Sequence, residues 1–195
     1  MTVSLIGDSV FDNSVYIAPD ELDTIGHLKQ LLRDDDCELL AVDGSITSEV
    51  TLHQLPRIDR ESDWIVVSSG GNDALSYSYL LDDLAESVLD DMFAAKKKFH
   101  EDYSNLLSAL MDFDAQVIVC TVYSGAFDGP RYRRKAAAAI SVFNDTIYRL
   151  ANRRGLPVIE LRSIFTSVDD YANPIEPSTI GSEKLARAIV DQIHK

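Results

Sequence analysis

The chain has 195 residues, enough for one domain with a substantial core, and its content of 46% apolar and 26% charged residues is that of an ordinary globular protein. A formal charge of −14 argues against a nucleic-acid partner, which requires clustered cations, and against binding to an anionic membrane surface. No apolar stretch approaches the roughly 20 residues of a membrane span, and no basic segment precedes the short apolar run at the N-terminus, so we expect no signal peptide and a cytoplasmic location.

Short apolar runs rich in Val and Ile alternate with longer helical patterns along the chain. The runs predict strands buried on both faces, at Val3–Ile6, Glu38–Val42, Trp64–Ser68, Gln116–Val122 and Pro157–Leu161. The helical patterns cover about Thr24–Arg33, Ile46–Leu55, Ala85–Phe113, Tyr132–Arg154 and Ser182–His194. The third pattern could divide into two helices, because Asp82, Asp83, Asp90 and Asp91 supply competing caps. Cys37 and Cys120 fall in or beside strands, where we expect unbridged core thiols.

This alternation predicts an α/β fold, a three-layer α/β/α sandwich around a five-stranded parallel sheet, in a single domain covering residues 1–195. In such sheets ligands bind beyond the carboxyl ends of the strands. The rule selects four loops as the candidate site, namely Gly7–Asn13, Asp43–Thr47, Ser69–Ala74 and Thr121–Phe127.

Three of these loops contain residues that can serve either chemistry or local turn structure. Ser9 follows the first strand, where its hydroxyl would lie at the mouth of the sheet or cap a helix. Gly44 can offer its N–H to a ligand, or form an ordinary turn. Asn72 can donate its side-chain amide to a developing oxyanion, or favour a turn with Gly71 and Asp73.

The three segments together, Gly7-Asp8-Ser9, Asp43-Gly44-Ser45 and Gly70-Gly71-Asn72-Asp73, resemble the first three conserved blocks of the SGNH (GDSL-like) hydrolase family, in the same order and strand context. The resemblance implies a flavodoxin-like layout. It implies Ser9 as nucleophile, and an oxyanion hole made of the Ser9 and Gly44 N–H groups and the Asn72 side chain. Asp8 and Asp73 match the family's blocks and would have structural roles.

The last block of that family, Asp-x-x-His, is not matched by this chain. Aligning on Pro177, Ser178 and Gly181 places Glu176 at the histidine position and Asn173 at the aspartate position. A second register places Asp170 at the aspartate and Asn173 at the histidine, but it loses the spacing to Gly181, so we prefer the first. Neither register supplies a histidine, and we expect surface positions for the chain's histidines, which are His27, His53, His100 and His194.

A serine hydroxyl is a weak nucleophile until a base takes its proton. A glutamate has an ordinary pKa of about 4.3, so Glu176 could act as this base only if burial raised its pKa substantially. We therefore expect a hydrolase of small ester or acyl substrates. Its candidate catalytic residues are Ser9, Gly44, Asn72, Glu176 and Asn173.

The alternative is a catalytically silent protein on the same fold that binds an acyl or carbohydrate ligand, and a third interpretation is a scaffold role. No cofactor and no metal are expected, the partner is a small molecule, and the oligomeric state is left open.

Around the site we expect Tyr77, Tyr79, Tyr123 and Phe127 either to line a substrate pocket or to pack a lid segment. The basic cluster Arg131, Arg133, Arg134 and Lys135 would pair with acidic groups or bind an anion.

Overall fold

The computed structural model describes residues 1–33, 36–81 and 87–195, and in it five parallel strands form one sheet in the order β2-β1-β3-β4-β5. The strands are β1 (Thr2–Gly7), β2 (Asp36–Leu39), β3 (Trp64–Ser68), β4 (Gln116–Cys120) and β5 (Val158–Ile159). This is the flavodoxin-like strand order, and it confirms the predicted fold class. The order reverses direction between β1 and β3, which is the point where such sheets bind their ligands.

The α-helices of the described residues are α1 (Thr24–Leu32), α2 (Thr47–Glu49), α3 (Gly71–Leu75), α4 (Val88–Leu110), α5 (Pro130–Arg153) and α6 (Thr179–Ile193). Helix α4 is continuous, so the predicted division at Asp90 and Asp91 is wrong, because both residues belong to its first turn. The predicted start at Ala85 and the proposed caps Asp82 and Asp83 lie outside the described residues. Helix α6 begins three residues before the predicted Ser182, because Ser178 caps it by accepting a hydrogen bond from the Gly181 N–H.

Two apolar cores cover the two faces of the sheet, because alternate strand residues point to opposite sides. On one face, Leu5, Val66 and Ile118 pack with buried residues of α1 and α6. On the other, Ile6, Val67 and Val119 pack with buried residues of α4 and α5. Cys37 and Cys120 are both buried and no disulfide joins them.

Strands β4 and β5 each end two residues earlier than predicted, at Cys120 and Ile159. Two further predicted elements near the site differ from the structure. Strand β2 ends at Leu39 rather than Val42, because the N–H groups of Leu40 and Ala41 both donate to the Leu5 carbonyl and so break the ladder. The helix expected over Ile46–Leu55 begins at Thr47 and continues as a π-helical turn over Val50–Gln54. Turns of this kind are frequent near functional sites, and this one places Gln54 beside the end of β1.

The end of β1 lies unusually close to β3. A Cβ on Gly7 would lie 1.7 Å from the Ser68 carbonyl oxygen, and Gly7 has φ +136°. Only glycine can adopt this backbone conformation so close to the Ser68 carbonyl. The chain continues from here directly into Asp8 and Ser9. In the part of the chain that the structure describes, no helix combines the length and apolarity needed to cross a membrane.

Candidate active site

A cavity lies at the carboxyl ends of the central strands and is partly open to solvent. Its polar residues include Asp8, Ser9, Asn72 and Glu176. Ser9, Asn72 and Glu176 come from three distant parts of the sequence, so the fold brings together three of the five predicted site residues. Gly44 and Asn173 are not among the described residues that line the cavity.

Ser9 and Glu176 are in direct contact in the cavity wall. Ser9 is 8% exposed and Glu176 is 5% exposed. Burial raises the pKa of Glu176, the adjacent Ser9 hydroxyl lowers it as a potential hydrogen-bond donor, and the charge of Asp43 raises it again, with a net rise. The second carboxyl oxygen, Oε2, is buried without a hydrogen-bond partner among the described residues. The arrangement therefore pairs a serine hydroxyl with a carboxylate whose proton affinity is above its ordinary value.

The loop before α6 holds Glu176 in place through its own backbone. The Asn173 side-chain oxygen accepts hydrogen bonds from the N–H groups of Ile175 and Glu176, each at 2.9 Å. The Ala172 N–H donates to the Glu176 carbonyl at 2.9 Å. In this structure Asn173 forms the turn that presents Glu176.

Asn72 lies at the start of α3 and connects the second and third loops. Its side-chain nitrogen donates to the Ser45 carbonyl at 3.1 Å. A carboxamide nitrogen carries two hydrogens, so a second donor remains on this cavity-lining group. Gly44, the residue before Ser45, is exposed and adopts φ +81° in the turn at the rim. Asp73 accepts hydrogen bonds from both the N–H and the hydroxyl of Thr47, which is consistent with the predicted structural role.

Three buried amide side chains that sequence reasoning missed connect the loops of the site. Gln54 exchanges hydrogen bonds with the N–H and the carbonyl of Gly7, at 2.7 and 2.8 Å. Asn144 of α5 does the same for the N–H and carbonyl of Val122, at 2.8 and 2.7 Å. Asn13 donates to the carbonyl of Pro177, the residue after Glu176, at 3.1 Å, and so joins the Ser9 loop to the Glu176 loop. An amide within an otherwise apolar helical stripe, as at Asn144, is the sequence signal that could have identified one of them.

The remaining cavity wall is mostly apolar. Tyr77, Tyr123 and Phe127 line it, as expected, whereas Tyr79 is 63% exposed and does not. The wall that was not predicted is one face of α5, formed by Tyr132, Ala136, Ala139, Ile140 and Phe143. These residues recur at helical spacing, so a single stripe of α5 faces the cavity. Leu75, Leu81 and Met92 extend the apolar surface.

A model of the GDSL-like lipase/acylhydrolase family matches residues 5–183. The chain belongs to this family. No curated protein matches the sequence. The fold also matches solved structures at low identity. An extracellular lipase from Streptomyces rimosus aligns with a TM-score of 0.76 and 16% identity over 98% of this chain and 99% of the other.

Two further structures show how varied the proteins of this fold are. A phospholipase A1 from Streptomyces albidoflavus aligns with a TM-score of 0.75 and 15% identity, over 97% of this chain and 98% of the other. The acetyl xylan esterase AlAXEase aligns with a TM-score of 0.73 and 15% identity, over 99% of this chain and the whole of the other. At these identities the likeness establishes the fold that this GDSL-like protein shares with them and does not extend to the substrate.

Among the described residues, no histidine from elsewhere in the chain takes the place of the histidine of the family's last block. None of the four histidines is among the described residues that line the cavity. His53 and His100 are exposed, His194 follows the end of α6, and His27 shares a hydrogen bond with the Thr179 hydroxyl at 3.0 Å. In the described part of the chain, the group in contact with Ser9 that can accept its proton is therefore a carboxylate.

The basic cluster at the start of α5 lies beside the cavity without forming part of the Ser9 site. Lys135 donates a hydrogen bond to the Leu81 carbonyl. Arg131, Arg133 and Arg134 are exposed and have no ion pair among the described residues, so the predicted pairing with acidic groups is not seen for them.

Proposed function

We propose that this chain is a serine-dependent hydrolase of acyl esters, with Ser9 as the nucleophile and Glu176 as the group that accepts its proton. The observation that carries the proposal is the placement of the Ser9 hydroxyl beside the carboxyl of a buried glutamate at the wall of an apolar cavity. Burial raises the pKa of Glu176, which moves a normally weak base toward the range where general bases work best.

The reaction would proceed through an acyl-enzyme. The Ser9 oxygen attacks the ester carbonyl while its proton passes to Glu176. The developing oxyanion would be held by the Ser9 N–H and the second hydrogen of the Asn72 amide, since Gly44 lies exposed at the rim. Glu176 then gives the proton to the departing alcohol, and water hydrolyses the acyl-enzyme by the same route in reverse. Asn173 would contribute by holding the turn that presents Glu176.

The apolar cavity supports an acyl group larger than acetyl. About 0.8 kcal/mol is gained for each methylene removed from water, which corresponds to about a fourfold gain in kcat/KM for each added carbon that fits. The acyl chain would lie against the lining face of α5, with its carbonyl at Ser9. A polar sugar bound against this surface would leave its own hydroxyl groups without hydrogen-bond partners.

The decisive experiment compares the wild type, Ser9→Ala and Ser163→Ala, since Ser163 is an exposed serine away from the cavity. We expect p-nitrophenyl hexanoate to be cleaved faster than the acetate. We also expect Ser9→Ala to lose at least a hundredfold in kcat/KM and all labelling by a fluorophosphonate, while Ser163→Ala retains both. Equal rates for Ser9→Ala and the wild type would refute Ser9 as the nucleophile.

The absence of a cavity-lining histidine among the described residues favours one other function, silent binding of an acyl ligand in the same cavity. The same proteins distinguish the two. Displacement of a bound apolar fluorophore by a fatty acid, with no turnover and no labelling of the wild type, would establish the binding function instead.

A further inference from the structure

Asp8 is a second buried carboxyl group in the same cavity wall as Ser9. It precedes Ser9 in the chain and is 3% exposed. Its Oδ1 accepts hydrogen bonds from the Val10 N–H at 3.2 Å and the Ser68 hydroxyl at 3.4 Å. Its Oδ2 lies 3.5 Å from the position that a Cβ on Gly71 would occupy, and Gly71 also lines the cavity. Two long hydrogen bonds therefore hold one oxygen, while the other lies at the cavity wall.

The groups around Asp8 supply negative charge and no positive charge. The carboxyls of Glu176 and Asp73 both act on it, from the loop before α6 and from α3. Tyr103 of α4, Cys120 of β4 and Tyr123 after β4 are also within electrostatic range, and burial raises the pKa of each of these three, so they are neutral near pH 7. Within the described residues, no Lys, Arg or His forms an ion pair or hydrogen bond with Asp8 or Glu176.

Burial in these surroundings, opposed only partly by the two hydrogen bonds, raises the pKa of Asp8 to about 7. Two carboxylates in one enclosed site without a cation resist joint ionisation, as paired carboxyls generally do. The adjacent Ser9 hydroxyl favours the charged form of Glu176, whereas the two long hydrogen bonds to Asp8 offset the effect of burial on its pKa only weakly. A single negative charge shared between the two groups therefore resides preferentially on Glu176.

We propose that Asp8 and Glu176 work as a carboxyl pair in which Asp8 must stay protonated while Glu176 is ionised, so that ionisation of Asp8 switches off the reaction at Ser9. The inference rests on the proposed function. Asp8 acts here through Ser9 and Glu176, as a positioning residue that sets the charge of the site, and not on the substrate.

Charge conservation during the attack on the ester explains why Asp8 must stay protonated. The bond from the Ser9 oxygen to the carbonyl carbon forms, the Ser9 proton moves to Glu176, and the carbonyl π pair becomes the oxyanion. The one negative charge of the site thus moves from Glu176 to the oxyanion, beside the residue that precedes Ser9. When the ester C–O bond breaks, the proton leaves Glu176 with the alkoxide. With a neutral Asp8 the site carries one charge throughout, whereas an ionised Asp8 either makes it two or forces the proton onto Glu176.

The test uses Asp8→Asn, whose amide is neutral at every pH and can keep the Val10 and Ser68 hydrogen bonds through its oxygen. For the wild type we expect kcat/KM on p-nitrophenyl hexanoate to rise as Glu176 ionises and to fall as the pH passes about 7, where Asp8 ionises. For Asp8→Asn we expect no fall, and at least tenfold more activity than the wild type at pH 9, after subtraction of the Ser9→Ala rate.

Asp73→Asn is the matched control. Asp73 is also a buried carboxyl with a raised pKa, but Thr47 donates twice to it and it is not among the described cavity-lining residues. We expect its alkaline fall to remain, whatever its overall rate, and to move only slightly to lower pH, because the charge of Asp73 is a minor cause of the raised pKa of Asp8. A fall near pH 7 that persists in Asp8→Asn, or a folded Asp8→Asn that is inactive at every pH, would overturn the inference.

A second measurement needs no catalysis. Because the pKa of folded Asp8 lies above its ordinary value, the folded wild type loses stability relative to the unfolded chain as the pH rises from about 4 through about 7. The melting temperature of Asp8→Asn should therefore exceed that of the wild type by a margin that grows between pH 5 and pH 8. A margin independent of pH would overturn the inference even if Ser9 is the nucleophile. A growing margin in a protein that is never labelled at Ser9 would instead reject the proposed function.

Discussion

Glu176 carries a charge when it has lost its proton, whereas an imidazole carries a charge when it has gained one. Burial disfavours the ionised form of a carboxyl, so the same enclosure that raises the pKa of Glu176 also reduces the fraction available as a base at low pH. An imidazole has an ordinary pKa of about 6.5 and needs no such enclosure to take the Ser9 proton near neutral pH. The residue at position 176 therefore sets both the rate and the pH range of the reaction.

The pair of substitutions Asn173→Asp and Glu176→His would reinstate the family's Asp-x-x-His block. Asn173 already contacts the backbone of residue 176, so an aspartate there can orient the new imidazole. We expect the double variant to exceed the wild-type kcat on p-nitrophenyl hexanoate at least tenfold at pH 7, and Glu176→Gln to fall at least tenfold below it. Asn173→Asp alone is the control and should bring no gain. A double variant as slow as Glu176→Gln would show that residue 176 does not take the serine proton.

At the scale of elements, helix α5 determines how much of the cavity is open to an acyl chain. Its lining face combines two small residues, Ala136 and Ala139, with larger apolar ones. Alanine also has the best helix propensity, so these positions keep the helix regular while leaving space beside it. The opposite side of the same turn, at Ala138, is exposed.

Ala139→Leu should therefore shorten the space available to the acyl chain, whereas Ala138→Leu makes the same chemical change on the exposed side. We expect Ala139→Leu to lower kcat/KM for p-nitrophenyl hexanoate at least tenfold and to change the value for the acetate less than threefold. Ala138→Leu should leave the ratio between the two esters as in the wild type. Equal losses on both esters for Ala139→Leu would mean that the acyl chain does not lie against α5.

At the scale of the whole molecule, the charge of −14 acts on the folded state through self-repulsion. The Asp and Glu residues number 32 against 18 Lys and Arg residues. Several ion pairs, such as Lys184 with the fully buried Asp170, offset this locally. The excess remains over the surface as a whole and favours any expanded state that separates the charges.

Added NaCl should consequently stabilise the protein. The screening length falls from about 30 Å at 0.01 M salt to about 8 Å at 0.15 M, which is shorter than the separation of most surface charges. We expect the melting temperature at pH 7.5 to rise by several degrees over this range, and KCl to act equally. A melting temperature that falls with either salt would mean that favourable ion pairs outweigh the general repulsion.

The sequence alone determined the layered architecture and the first half of the site. Strand β3 has the bounds predicted from its apolar run, because a strand buried on both faces is nearly continuously apolar. Ser9 and Asn72 could be identified because each follows a strand end within a short local motif. The end of strand β2 was misplaced and the π-helical turn at Val50–Gln54 was not predicted, since both depend on hydrogen bonds to β1 that no local pattern encodes.

Only the tertiary structure decided which groups act on Ser9. Glu176 could be aligned by spacing, but its contact with the serine hydroxyl depends on the Asn173 turn and on Asn13, which joins two loops from opposite ends of the chain. The proton affinities of Asp8 and Glu176 are likewise decided by burial and by each other's charge. Periodicity along a chain records which face of an element is buried, whereas desolvation and Coulomb interaction depend on distances in space, and these exist only once the chain has folded.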